Sequence, residues 1–284
     1  DNRALYEGFV AQHMDEPPIA AEPRVRTLTS AAAITTAVSI APDMPATVQA
    51  ETAVLSDWLA SRHATAGVNC SDCHQAPTET AARSEWVDKP GISSCQRCHD
   101  AEADGFLQSR HGMRIAAGMT PMTPGMARLP MKADAAHETM DCNACHQTHR
   151  YDTKSAAATA CMSCHDDTHT RAYQGSPHAA LWDAEVSGRS LVGTGVSCAT
   201  CHLPREERKM PDGSTQIRVQ HNQNRNLRPN EKMIRSSCMT CHGLGFSIDS
   251  LADNTLIQNN FRGQPSVTIE TIEWIRRRVE PKTP

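Results

Sequence analysis

The chain is poor in the material from which globular cores are built. Aromatic side chains supply only 4% of its 284 residues and hydrophobic residues of all kinds 39%, while glycine (15) and proline (17) are plentiful. An ordinary core is thereby excluded, because buried apolar area is what stabilises a domain of this length. Long hydrophobic runs are missing too. The most apolar stretch, "AAAITTAVSIA" at 31–41, is too short and too rich in hydroxyl side chains to cross a bilayer, so no membrane span is expected. Charge of one sign is not in excess either. A formal net charge of −4 argues against nucleic acid as a partner. No signal peptide is visible at Asp1, as expected of the processed form of an exported protein.

What the sequence has instead is cysteine and histidine in one repeated order. Cys70, Cys73 and His74 form the first Cys-x-x-Cys-His motif, Cys95, Cys98 and His99 the second, and Cys142, Cys145 and His146 the third. Cys161, Cys164 and His165 follow, then Cys198, Cys201 and His202, and finally Cys238, Cys241 and His242. All 12 cysteines are used. For this composition chance supplies roughly 0.02 such motifs, so six are not an accident.

Two thiols three positions apart can add across the two vinyl groups of one porphyrin, and the adjacent histidine then reaches the iron. This is the attachment signature of c-type haem. Structural zinc has no need of a histidine after every second cysteine. A thioredoxin-like pair occurs once, in a βαβ context, and a disulfide framework belongs to shorter chains and does not fix the histidine. The expectation is six covalently bound haem c groups. Their porphyrin faces replace the missing apolar core, and the apoprotein is expected to be largely unfolded. Covalent haem attachment takes place outside the cytoplasm, which places the chain in the periplasm or at the cell surface. The haem propionates make its assembled surface anionic, suited to redox-protein partners.

Residues 1–57 lack cysteine and carry proline and small residues. They read as an extended arm, expected to pack on the haem domain or on a neighbouring subunit. Residues 58–284 read as the hexahaem domain. Its fold class is mainly α with long loops and little or no sheet, with short helices at the attachment motifs. The motifs are spaced too irregularly for a solenoid, although "GVNCSDCH" (67–74) echoes "GVSCATCH" (195–202). A last helix is expected in "PSVTIETIEWIRRRVEP", capped by Ser266 or Thr268.

Six histidines are taken as proximal ligands, leaving His13, His63, His111, His137, His149, His169, His178 and His221 as a pool for six distal positions. Bis-histidine ligation keeps iron low-spin and six-coordinate and leaves small molecules no open site. His149 and His169 stand too close to His146 and His165 to wrap around the same haem, so each is expected to serve a neighbouring one. The methionines of "MRIAAGMTPMTPGMARLPM" (113–131) read as flexible apolar cover rather than ligands.

Several stretches resemble the superfamily of hydroxylamine oxidoreductase and cytochrome c nitrite reductase. They are "DCNACHQTHRYD" (141–152), "CMSCHDDTHTRAYQGSPHAALW" (161–182), "GVSCATCHLPREE" (195–207) and "LRPNEKMIRSSCMTCHGLGF" (227–246). The resemblance implies haems stacked in alternating parallel and perpendicular pairs, with His149, His169, His178 and His221 as axial ligands. Two departures bear on activity. The Cys-x-x-Cys-Lys variant of the nitrite reductases is absent, and no tyrosine follows Tyr173 to provide the late porphyrin crosslink of the hydroxylamine oxidoreductases. The architecture also resembles extracellular cytochrome filaments, in which an N-terminal histidine ligates a haem of the next subunit, the part His13 would take. The expected function is electron transfer without catalysis, with polymerisation through the arm as the favoured assembly. The alternative is an oxidoreductase acting on small nitrogen or sulfur compounds at one open haem.

Overall fold

In a computed structural model the described residues are 41–75, 85–210, 212–270 and 272–273. They fall in one compact unit, Ile34–Pro284. His13 and most of the expected arm lie outside them. The described part of that arm runs against the first motif: Asp43 accepts from the backbone N–H of Ser71 at 2.9 Å, and Asn69 donates to the carbonyl of Ala41 at 3.0 Å. The helix Thr52–Ala60 runs across the expected boundary at 57/58.

The fold is mainly helical, in short pieces joined by loops, as the absence of long amphipathic patterns predicts. The motifs sit on helical turns because a helix brings positions i, i+3 and i+4 to one face, which turns both thiols and the imidazole the same way. The echoed motifs form the two best-capped examples. Helix Cys70–His74 starts at Asn69, whose side chain accepts from the N–H of Cys70 while Asp72 accepts from the N–H of Asn69. Helix Cys198–His202 starts at Ser197 with the reciprocal pair formed by Thr200. Each capping box satisfies amide groups that a helix of five residues otherwise leaves exposed.

One antiparallel hairpin interrupts the helices, β1 (Arg205–Lys209) with β2 (Thr215–Val219), paired Arg205 to Val219 and Lys209 to Thr215. Gly213, at φ 83°, takes the left-handed conformation its turn needs. The hairpin is pinned to helix Asp100–Leu107 by Arg218, whose guanidinium lies 3.1 Å from both Asp100 and Glu102. Behind it, Gly105 lets the chain pass closely: a Cβ there would stand 2.6 Å from Oε1 of Gln220 and 3.2 Å from the backbone nitrogen of His221.

The interior is thin in apolar mass. Among the described residues, the buried apolar side chains besides Trp58, Phe106 and Tyr173 are alanine, methionine and leucine, and they are matched by buried Ser61, Ser109, Ser176, Ser247, Asn226 and Asp249. One cluster, Ala158, Tyr173 and Ala179 with Met162, Trp182 and Cys198 against it, ties the fourth motif to the fifth. The C-terminal helix predicted from sequence lies mostly outside the described residues. Its expected cap Ser266 bonds instead to Asp253, donating its N–H at 2.8 Å and its hydroxyl at 2.7 Å.

Candidate haem-binding sites

Each of the six motif histidines faces one histidine from elsewhere in the chain. The ring centres of His74 and His149 are 6.0 Å apart, those of His63 and His99 6.0 Å, and those of His146 and His221 6.1 Å. For His169 and His202 the distance is 6.2 Å, and for His111 with His165 and His178 with His242 it is 6.3 Å. Imidazole nitrogens bind metals at about 2 Å, so two rings on opposite sides of one metal have centres about 6 Å apart. Direct imidazole stacking gives shorter separations. The gap in each pair matches the width of one iron with its two bonds.

The partners are interlaced along the chain. His63 precedes the first motif but faces the second; His149 follows the third but faces the first; His221 faces the third, His111 the fourth, His169 the fifth and His178 the sixth. Of the expected pool, His137 is exposed and stands in none of these pairs. The turn after the third motif is bent to achieve its pairing. Gln147, His149 and Tyr151 all take positive φ (57°, 67° and 49°), a conformation that costs a residue with a Cβ roughly 1–2 kcal/mol. The bend swings His149 away from His146 and carries Tyr151 against the ring of His63, at 4.6 Å between centres.

Backbone carbonyls set the tautomer in three of the pairs. His74 Nδ1 donates to the carbonyl of Val87 at 2.7 Å, His221 Nδ1 to that of Val219 at 2.9 Å, and His169 Nδ1 to that of Ile257. Carbonyls only accept, so the proton is on Nδ1 and Nε2 is left with the lone pair a metal needs. At His169 the Nε2 accepts from the amide of Asn260 at 3.3 Å, consistent with that assignment. Burial depresses the pKa of His111 and of His202 to about 4, and lowers those of His63, His146, His149, His165 and His178 as well. Burial also pushes the thiols of Cys145 and Cys201 up to about 12. These surroundings favour neutral groups.

The cysteines of consecutive motifs are neighbours. The thiols of Cys95 and Cys142 lie close together, as do those of Cys161 and Cys198. Cys73 senses Cys95 and Cys98, Cys145 senses Cys161 and Cys164, and Cys201 senses Cys238. Each motif therefore has a cysteine near one of the next. Beside the first lies an apolar cavity of about 820 Å³, counting the part open to solvent, with Cys70, Cys73, His74 and His149 on its wall among Val48, Val54, Leu55, Trp58 and Trp86. Trp86 lies flat on the His74 ring, 4.8 Å between centres. Two thiols and two imidazoles on an apolar wall are the groups that would hold a haem there. Among the described residues, no three His, Cys, Asp or Glu side chains converge on a metal-ion site, the arrangement that clustered zinc thiolates require.

With this geometry in hand, the family model Cytochrome c554 and c-prime matches residues 94–159, the stretch that carries the second and third motifs together with His111 and His149. The match supports a multihaem c-type cytochrome. Covalent haem c and a role in electron transfer follow at that level. Comparison with curated proteins gives no match. Among the described residues, no helix is long and apolar enough to cross a membrane. Sequence reasoning left the distal assignments open, because which histidine meets which motif depends on packing between segments far apart in sequence. The hairpin was legible in part: Asp212-Gly213 beside the alternating "TQIRV" is a turn signal, masked by the unbroken charge of "REERK".

Proposed function

We propose that this cytochrome is a hexahaem electron carrier, each haem held by the two cysteines of one motif and by a pair of axial histidines: His74 with His149, His99 with His63, His146 with His221, His165 with His111, His202 with His169, and His242 with His178. The observation that carries the reading is the spacing of 6.0–6.3 Å between ring centres in all six pairs. One-electron exchange between ferric and ferrous iron is the chemistry that haem supplies when bound. The polypeptide's part is to fill both axial positions, to keep the ligands neutral and in the metal-binding tautomer, and to line up consecutive attachment sites.

With both axial sides filled by imidazole, little rearrangement accompanies a change of oxidation state, and no position stays open for a substrate. In this assignment all six axial places are filled by described histidines of one chain, and assembly into a filament through His13 forms no part of the proposal. Haem attachment belongs outside the cytoplasm, and there the carrier exchanges electrons with redox proteins.

Intact mass and optical spectroscopy of the purified holoprotein test the reading. Six added haem masses are expected, with wholly low-spin iron that binds neither carbon monoxide nor nitrite. A high-spin component that takes up either ligand would instead favour an oxidoreductase with an open haem.

A further inference from the structure

We propose that Gln223 is the positioning residue of the His111 imidazole, holding its proton on Nδ1 through the side-chain amide oxygen and so lowering the reduction potential of the iron that His111 shares with His165. The inference rests on the bis-histidine reading above.

Three distal or proximal rings have Nδ1 fixed by a backbone carbonyl, which no substitution can remove. At His111 the partner of Nδ1 is a side chain, the amide of Gln223, at 3.0 Å. The backbone that carries that amide is held in place. Gln223 is the N-cap of helix Asn224–Leu227, its own carbonyl accepts from the N–H of Leu227 at 2.9 Å, and Asn222 beside it is tied to Gln220 and Asn224.

As the amide stands, Nε2 of Gln223 faces Nδ1 and its Oε1 is buried without a hydrogen-bond partner among the described residues. In that setting the proton of His111 is on its Nε2, and the ring cannot bind iron there. A half turn of the amide brings Oε1 to Nδ1, moves the proton to Nδ1 and bares Nε2. Whichever way the amide is set, one of its ends points where the protein offers no partner, so the imidazole decides between them. Iron at His111 demands the oxygen-inward setting. An acceptor on Nδ1–H makes the imidazole a stronger donor, which favours ferric iron and lowers the potential. The same short turn carries His221, the partner of His146. One loop thus supplies a ligand to the third iron and orients a ligand of the fourth.

The test is redox titration and EPR of holoprotein carrying Gln223→Leu or Gln223→Glu, beside wild type. In Gln223→Leu one of six haems is expected to shift to higher potential by about tenfold in its reduction equilibrium, about 59 mV for a one-electron couple, with one low-spin EPR signal altered. Gln223→Glu supplies a stronger acceptor and moves the same haem below its wild-type potential. Unchanged potentials in both variants overturn the assignment, as does a shift in Gln223→Leu that Gln223→Glu fails to reverse. Should Gln223→Leu not fold, Gln223→Glu alone decides: no lowered potential at any haem overturns the proposal. Wild-type protein with high-spin iron or fewer than six haems would instead overturn the ligand reading itself, and the role of Gln223 with it.

Discussion

The first and fifth motifs are nearly the same octapeptide in different surroundings. Both are five-residue helices closed by a capping box, Asn69 with Asp72 in one and Ser197 with Thr200 in the other. The first borders a cavity that opens to solvent. At the fifth, the mass of surrounding protein drives His202 to about pKa 4 and Cys201 to about 12, and Ser197 is buried. Local sequence therefore shapes the helix that carries the thiols, and long-range packing sets how much protein surrounds it. Dryness is the variable that separates redox sites of identical ligation.

Removing distal ligands tests this contrast most severely. His149→Ala and His169→Ala are each expected to convert one haem of six to a high-spin form that binds carbon monoxide. Binding should be faster in His149→Ala, where the cavity is open, and flash photolysis measures it. Equal rates would erase the distinction. Next in size is Gly105→Val, whose side chain collides with Gln220 and the backbone of His221. Overpacking of this kind costs about 1–3 kcal/mol, and it should detach His221 from the third iron, seen as a new high-spin signal in a variant that leaves the first and fifth sites intact.

Asn226→Ala strikes the dry end alone. The buried Asn226 amide donates to the carbonyl of Cys201 and to Ser237 at 3.2 Å, and its oxygen accepts from Ser236 at 2.7 Å. Stranding these partners should cost about 2–4 kcal/mol in chemical denaturation. The two caps offer a smaller, paired comparison: Ser197→Ala and Asn69→Ala should each lose about 1 kcal/mol, the buried one more. Smallest is a control outside both motifs. Asp253 accepts from the N–H of Leu256 and from Ser266, which hold its pKa down to about 2. Its folded value lies below the unfolded one of about 3.9, so its contribution is complete above that value and is lost as pH falls through about 2. Asp253→Asn should flatten acid unfolding in that window, measured by circular dichroism.

Much of this arrangement was legible in the residues. Cys-x-x-Cys-His dictates which side chains lie on one helical face, and the scarcity of aromatics announced that something other than protein fills the interior. The pool of distal histidines was legible as a pool. Its assignment was not, since a loop's length sets how far a histidine reaches and not whom it meets. His149 reaches the first motif only through three left-handed residues in a segment without glycine, a conformation no propensity would suggest. Gln223 gave no signal at all, because a glutamine two positions after a histidine acquires meaning only when helix and hairpin bring His111 beside it.

The interlaced pairing also bears on how such a chain is made. If export proceeds from the N-terminus, the first attachment site crosses with no axial partner available until His149 has followed, and the third waits for His221. The second, fourth, fifth and sixth, served by His63, His111, His169 and His178, find theirs already across. Maturation of the first and third sites then cannot be finished segment by segment: they persist half-ligated until the later chain arrives, and a polypeptide cut between His146 and His221 leaves the third site without its partner.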